Sequence, residues 1–174
     1  MNGETDGAVF AADEQTAVAV DLVRWTRLAR LVLEAERVDP EVHVALVFVD
    51  EDAIAQLNER FLGQPGPTDV LAFPIDDDLP ESGRAPDRGG RGPGSATEPT
   101  EPPVLLGDVY VCPAVAKRQA DERSIALDAE LALLVVHGLL HLLDYDHSEP
   151  DETAAMQARE RELLGAFADL ETEG

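Results

Sequence analysis

At 174 residues the chain is long enough to bury a core as one domain without disulfides, and its single cysteine, Cys112, excludes an internal one and fits a reducing cytoplasm. Its 36 acidic residues against 13 basic ones, a formal charge of −23, argue against indiscriminate nucleic-acid binding and favour solubility. The first residues, Met1 to Asp6, lack the basic segment and apolar run of a secretion signal, and the longest apolar run, around Leu131 to Leu143, is too short to span a bilayer. A cytoplasmic protein without membrane contact is therefore expected.

In chain order, Ala8 to Ala12 reads as a short first strand. A helix opening at Asp13 or Thr16 and running to about Arg37 is predicted by Leu22, Trp25, Ala29 and Val32 at helical spacing. Val42 to Asp50 alternates and is rich in Val, so it reads as a strand with Val42, Val44, Leu46 and Phe48 on one face and His43 as a plain strand or surface histidine. Glu51 to Leu62 is expected as a second helix with Ile54, Leu57 and Phe61 inward. A turn over Gly63 to Pro67 leads to a strand from Asp69 to Phe73. Residues 76–103 are dominated by Gly, Pro, Ser, Asp, Glu and Arg, with almost no apolar side chains to offset ordering entropy. That segment is expected as a disordered insert inside a single domain spanning 1–174, because the strands on either side look like sheet neighbours.

Leu105 to Cys112 reads as the next strand, and Pro113 opens a helix to about Glu122. A helix from about Leu127 to Leu143 follows, and Ser148 to Asp151 resembles a capping box before a last helix with Met156, Leu163, Phe167 and Leu170 on one stripe. Arg24, Arg27 and Arg30 recur on the first helix, and Lys117, Arg118 and Arg123 precede the histidines. Either cluster reads as solvated helix surface or as a local basic groove.

Three of the four histidines, His137, His141 and His147, fall within one short stretch. Residues 137 and 141 share one helix face about 5–6 Å apart at Cβ, so two imidazoles reach one ion. Asp144 can end the helix, since Asp tolerates a left-handed backbone, and the chain can then bring back His147. Three protein nitrogens with one open position is the pattern of a catalytic zinc site. Peptidases of the H-E-x-x-H type carry their general base directly after the first histidine, and here that residue is Gly138. A zinc hydrolase of another class and a defective metzincin-like peptidase both remain open on this ground.

The stretch His137 to His147 resembles the signature H-G-x-L-H-L-x-G-Y-D-H of the YbeY family of bacterial endoribonucleases, with Asp144 in place of Gly. Leu57 and Asn58 with Pro67 to Pro74, and then Leu106 to Cys112, match two further blocks of that family in the same order. The resemblance implies an α+β domain with a small mixed β-sheet packed with helices around a central metal-binding helix. It implies one Zn2+ per chain on His137, His141 and His147. It implies single-strand-specific endoribonuclease action in maturation of small-subunit (16S) rRNA and in ribosome quality control. Partners implied are single-stranded rRNA, the ribosomal small subunit and its proteins, and an Era-type GTPase.

Around the ion, which would polarise a phosphodiester oxygen or supply a hydroxide, Thr68 and Asp69 either shape the pocket or cap a strand start. Asp108 and Asp146 are expected as acceptors that orient ligand histidines, Asp108 alternatively as a strand-edge residue. Cys112 reads as a core thiol. The family's phosphate-holding arginine falls on Leu62, and a nearby lysine position on Gln64. That departure gives weight to a ribosome-assembly factor with a mainly structural metal; the peptidase reading is disfavoured by Gly138.

Overall fold

The computed structural model describes residues 2–6, 8–75, 104–143, 145 and 149–173. Five strands, β1 (Asn2–Asp6), β2 (Val9–Asp13), β3 (Val42–Phe48), β4 (Val70–Pro74) and β5 (Val104–Val111), form one sheet in the order β1-β2-β3-β5-β4. Pairing is parallel for β2/β3 and β3/β5 and antiparallel for β1/β2 and β4/β5, so the sheet is mixed. Among the described residues five helices pack with it: α1 (Leu22–Ala35), α2 (Glu51–Leu62), α3 (Pro113–Arg123), α4 (Leu127–Leu142) and α5 (Pro150–Glu173). This is the expected α+β class.

Strand alternation sorts the side chains onto two faces. On one, Val9, Ala11, Val44, Leu46, Phe48, Val109 and Val111 meet α1, α4 and α5 through residues such as Trp25, Leu28, Leu139 and Phe167. Burial of such side chains contributes about 1.5–3 kcal/mol each. On the other, Ala12, Val47, Val49, Leu71 and Cys112 pack with Ile54 of α2 and Val115 of α3. Strand β3 is thus buried on both faces rather than one, as its position between parallel neighbours requires.

Most elements fall where periodicity places them, with four differences. The first helix begins at Leu22, not at Asp13 or Thr16. Gln15 bonds its side chain to Asp13 Oδ1 (2.8 Å) and to the Val18 backbone, holding that stretch in a turn, and Asp21 caps the helix by accepting from Arg24 N at 3.1 Å. That helix closes through Arg37 in a left-handed conformation (φ 57°), with Val38 N donating to Leu33 O. Strand β1 was not expected, since Asn2 to Asp6 contains no apolar residue to alternate. Phe61 and Leu170, placed inward by spacing, are 56% and 47% exposed.

The strands that flank residues 76–103 do pair directly, β4 on β5. The insert itself lies outside the described residues. None of the described helices is long and apolar enough to cross a membrane.

Candidate metal centre

Helix α4 is apolar almost all round and lies against β4 and β5. It comes close because Gly138 has no side chain: a Cβ there would stand 2.6 Å from Val109 Cγ1 and 3.2 Å from Val70 Cγ2. Contact through Gly138 sets His137 and His141 beside β4, in a cleft of about 480 Å³ lined also by Leu62, Asp69, Val70, Leu71, Ala72 and Pro74. The same contact leaves no room at position 138 for the glutamate of an H-E-x-x-H peptidase.

The two imidazoles present Nε2 to Nε2 at 3.0 Å, with ring centroids 4.5 Å apart. Two nitrogens on one tetrahedral zinc, each at about 2.0–2.1 Å, lie roughly 3.3 Å apart, so the pair needs little movement to share an ion. His137 Nδ1 is 2.6 Å from Glu160 Oε1 of α5. With the carboxylate ionised, Nδ1–H donates to it and the Nε2 lone pair faces the cleft. These residues fit a divalent ion. Among the described residues no third donor converges on the pair; His147, the third expected ligand, lies outside them, as do Asp144 and Asp146.

The chain leaving α4 toward position 147 is anchored nonetheless. Tyr145 N donates to Leu140 O at 3.0 Å, closing the helix end. The Tyr145 hydroxyl donates to Glu36 Oε2 at 2.9 Å, and Arg159 pairs with the same carboxylate and donates to Ala35 O. Tyr145, just beyond α4, is therefore tied to the end of α1 and, through Glu36 and Arg159, to α5.

Asp69 lines the cleft, and its Oδ1 accepts from Val70 N (2.7 Å) and from the Thr68 hydroxyl (3.3 Å). With the Gln119 amide turned so that its nitrogen faces the carboxylates, Gln119 donates to Asp69 Oδ2 at 3.2 Å and to Glu130 Oε1 at 3.0 Å. Glu130 is buried and also pairs with Arg123. Asp69 thus holds the strand start through Val70 N and borders the pocket, while Thr68 touches Asp69 and is not among the described lining residues.

Asp108 is a correction. It sits on β5, an interior strand rather than an edge, and alternation turns it away from α4, to the face shared with Tyr110 and Phe73. It does not orient His137 or His141. Burial pushes its carboxyl above the usual carboxylate range. Burial likewise pushes up the Cys112 thiol, which lies in the core as expected.

Glu160, which holds His137, was missed. The signal was present: it stands in the stripe Met156, Glu160, Leu163, Phe167, a carboxylate where helical spacing calls for an apolar residue. Glu130, among the leucines of α4, is a second charge of that kind.

Leu62 lines the cleft, and among the described residues no lysine or arginine lines it. Three arginines of the flanking helices are engaged elsewhere: Arg24 with Glu171 and Asp128, Arg118 with Glu51, Arg123 with Glu130.

Residues 10–168 match the protein family described as Endoribonuclease YbeY. Curated relatives of that name include one from Frankia casuarinae, 43% identical over 92% of this chain and 74% of the relative, and one from Frankia alni, 44% identical over 92% and 82%. Another, from Thermobifida fusca, is 42% identical over 88% of this chain and 90% of the relative. Among solved structures, the solution structure of TM1509 from Thermotoga maritima superposes with a TM-score of 0.56 at 25% identity, covering 95% of each chain.

Proposed function

The chain belongs to the YbeY family, and on that premise we propose that it is an endoribonuclease whose cleft hydrolyses phosphodiester bonds of single-stranded RNA at one zinc ion held by His137, His141 and His147. The observation that supports this most is the facing Nε2 pair at the cleft wall, with Glu160 behind His137.

A divalent ion there supplies Lewis acidity toward a phosphodiester oxygen and lowers the pKa of water. The chain's own residues do the rest. Glu160 fixes the tautomer of His137. Tyr145 and Glu36 hold the start of the loop that leads to His147. Asp69, pinned by Val70 N and Gln119, keeps a fixed acceptor beside the substrate path. Leu62 brings no charge to the phosphate, so a divalent ion held by His137, His141 and His147 would have to supply most of the stabilisation of developing charge.

By family the substrate is RNA. The finer proposal is maturation of small-subunit rRNA in the cytoplasm, with the small subunit, its proteins and an Era-type GTPase as partners. The uncharged cleft wall at Leu62 favours a second reading, an assembly factor with a structural metal and weak cutting. A cleavage assay on purified protein, with ribosomal RNA fragments and a casein control, separates the readings. RNA cutting that His137→Ala abolishes supports the first; a zinc-loaded chain that cuts nothing supports the second. Casein cutting would contradict both.

A further inference from the structure

Helical spacing places Phe61 in the core, yet Phe61 and the adjoining Leu62 are both more than half exposed at the end of α2. Single exposed apolar residues need no explanation, but Leu62 lines the cleft and Phe61 precedes it on α2. Its wall takes Asp69, Val70, Leu71 and Ala72 consecutively, together with Leu62. Val70 and Ala72 belong to the α4 side of the sheet and Leu71 to the α2 side. The cleft therefore follows the outer edge of β4, the last strand of the sheet, and passes from the histidines on one face toward the end of α2 on the other.

The Phe61 ring is held in place. It packs on Phe73 with centroids 5.0 Å apart, tilted by 52°, and Phe73 meets Tyr110 edge-on at 5.8 Å. The Arg60 guanidinium lies over the Phe61 ring, 5.3 Å from its centroid. Arg24, Arg118, Arg123 and Arg159 all pair with carboxylates. Arg60 pairs with none among the described residues.

We propose that Phe61 and Arg60 form a base-binding subsite for the RNA strand in the cleft, the ring stacking on a nucleobase and the guanidinium pairing with an adjoining phosphate. The proposal rests on the RNA-cleaving reading of the cleft. The guanidinium over the ring has no carboxylate partner among the described residues, so it can swing onto a phosphate and open the ring face to a base; ring and cation together match what a single strand offers at each nucleotide, and such stacking tolerates any base. An apolar peptide would use the ring and leave the cation idle. The subsite also supplies, from outside the cleft, the cationic contact that Leu62 does not.

The test uses the full chain loaded with zinc and a single-stranded oligonucleotide carrying 2-aminopurine. Phe61→Ala is expected to raise KM by about five- to a hundredfold with a smaller change in kcat. Phe61→Leu keeps an apolar contact with Phe73 and should lose as much, whereas Phe61→Trp should retain binding. Arg60→Ala should weaken binding and flatten its dependence on salt. Wild type should quench 2-aminopurine on mixing, and Phe61→Leu should not. If wild type cuts RNA while Phe61→Leu keeps its KM and its quenching, the subsite is wrong and the cleavage reading stands. If wild type neither cuts nor quenches, both fall.

Discussion

Glu160 Oε1 lies 2.6 Å from His137 Nδ1, joining α5 to α4 at the one imidazole that both faces the cleft and begins the histidine motif. A carboxylate in that position fixes the ring and raises its basicity toward a metal, an effect typically worth ten- to a hundredfold in affinity. Glu160→Gln and Glu160→Ala should therefore lower zinc affinity by about ten- to a hundredfold, with Ala the worse. Chelator competition measures this. Unchanged affinity in both variants would make Glu160 a packing residue only.

Gly138→Ala tests the close approach of α4 to the sheet. The added methyl meets Val109 Cγ1 at 2.6 Å, and overpacking of this kind costs about 1–3 kcal/mol. The melting temperature should fall, and Val109→Ala added to it should recover part of the loss. A full-stability Gly138→Ala protein would mean that the contact is loose.

Asp108 gives a pH signature. Burial raises its folded-state pKa above the unfolded value. The folded state thus binds the proton more readily, so stability falls as pH rises from the usual carboxylate pKa through the raised one. Asp108→Asn should stabilise at neutral pH, and the gain should vanish below the usual carboxylate range. Denaturant titrations at several pH values would show a constant difference if the side chain were well solvated.

The sequence carried the motif, the mixed α+β class and most element positions, because histidine spacing and apolar periodicity are local signals. What it did not carry depends on tertiary neighbours. Asp108 was misplaced because a strand's two faces look alike until the side on which α4 packs is known. Glu160 lies 23 residues from His137, and only the docking of α5 brings them together. Phe61 fits a buried stripe by spacing, but it stands beyond the edge strand β4, where only Phe73 and the Arg60 guanidinium among the described residues meet its ring and more than half of the residue stays exposed.

Leu62→Arg addresses the missing phosphate clamp. A guanidinium on the cleft wall can pair bidentately with phosphate oxygens, and charge placed where it develops is worth on the order of 3 kcal/mol, about a hundredfold in rate. Single-turnover cleavage of single-stranded RNA should rise at matched metal content. No gain would indicate that Arg60 or the ion already meets the need.

The central claim is that cutting depends on one ion at the histidine pair. The most direct measurement titrates zinc into metal-stripped protein and follows cleavage of single-stranded RNA against bound metal. Activity should rise with occupancy and level off at about one ion per chain, and His137→Ala should neither hold zinc nor cut. Cutting by the metal-stripped chain that added zinc leaves unchanged, or equal cutting by His137→Ala, would contradict the account.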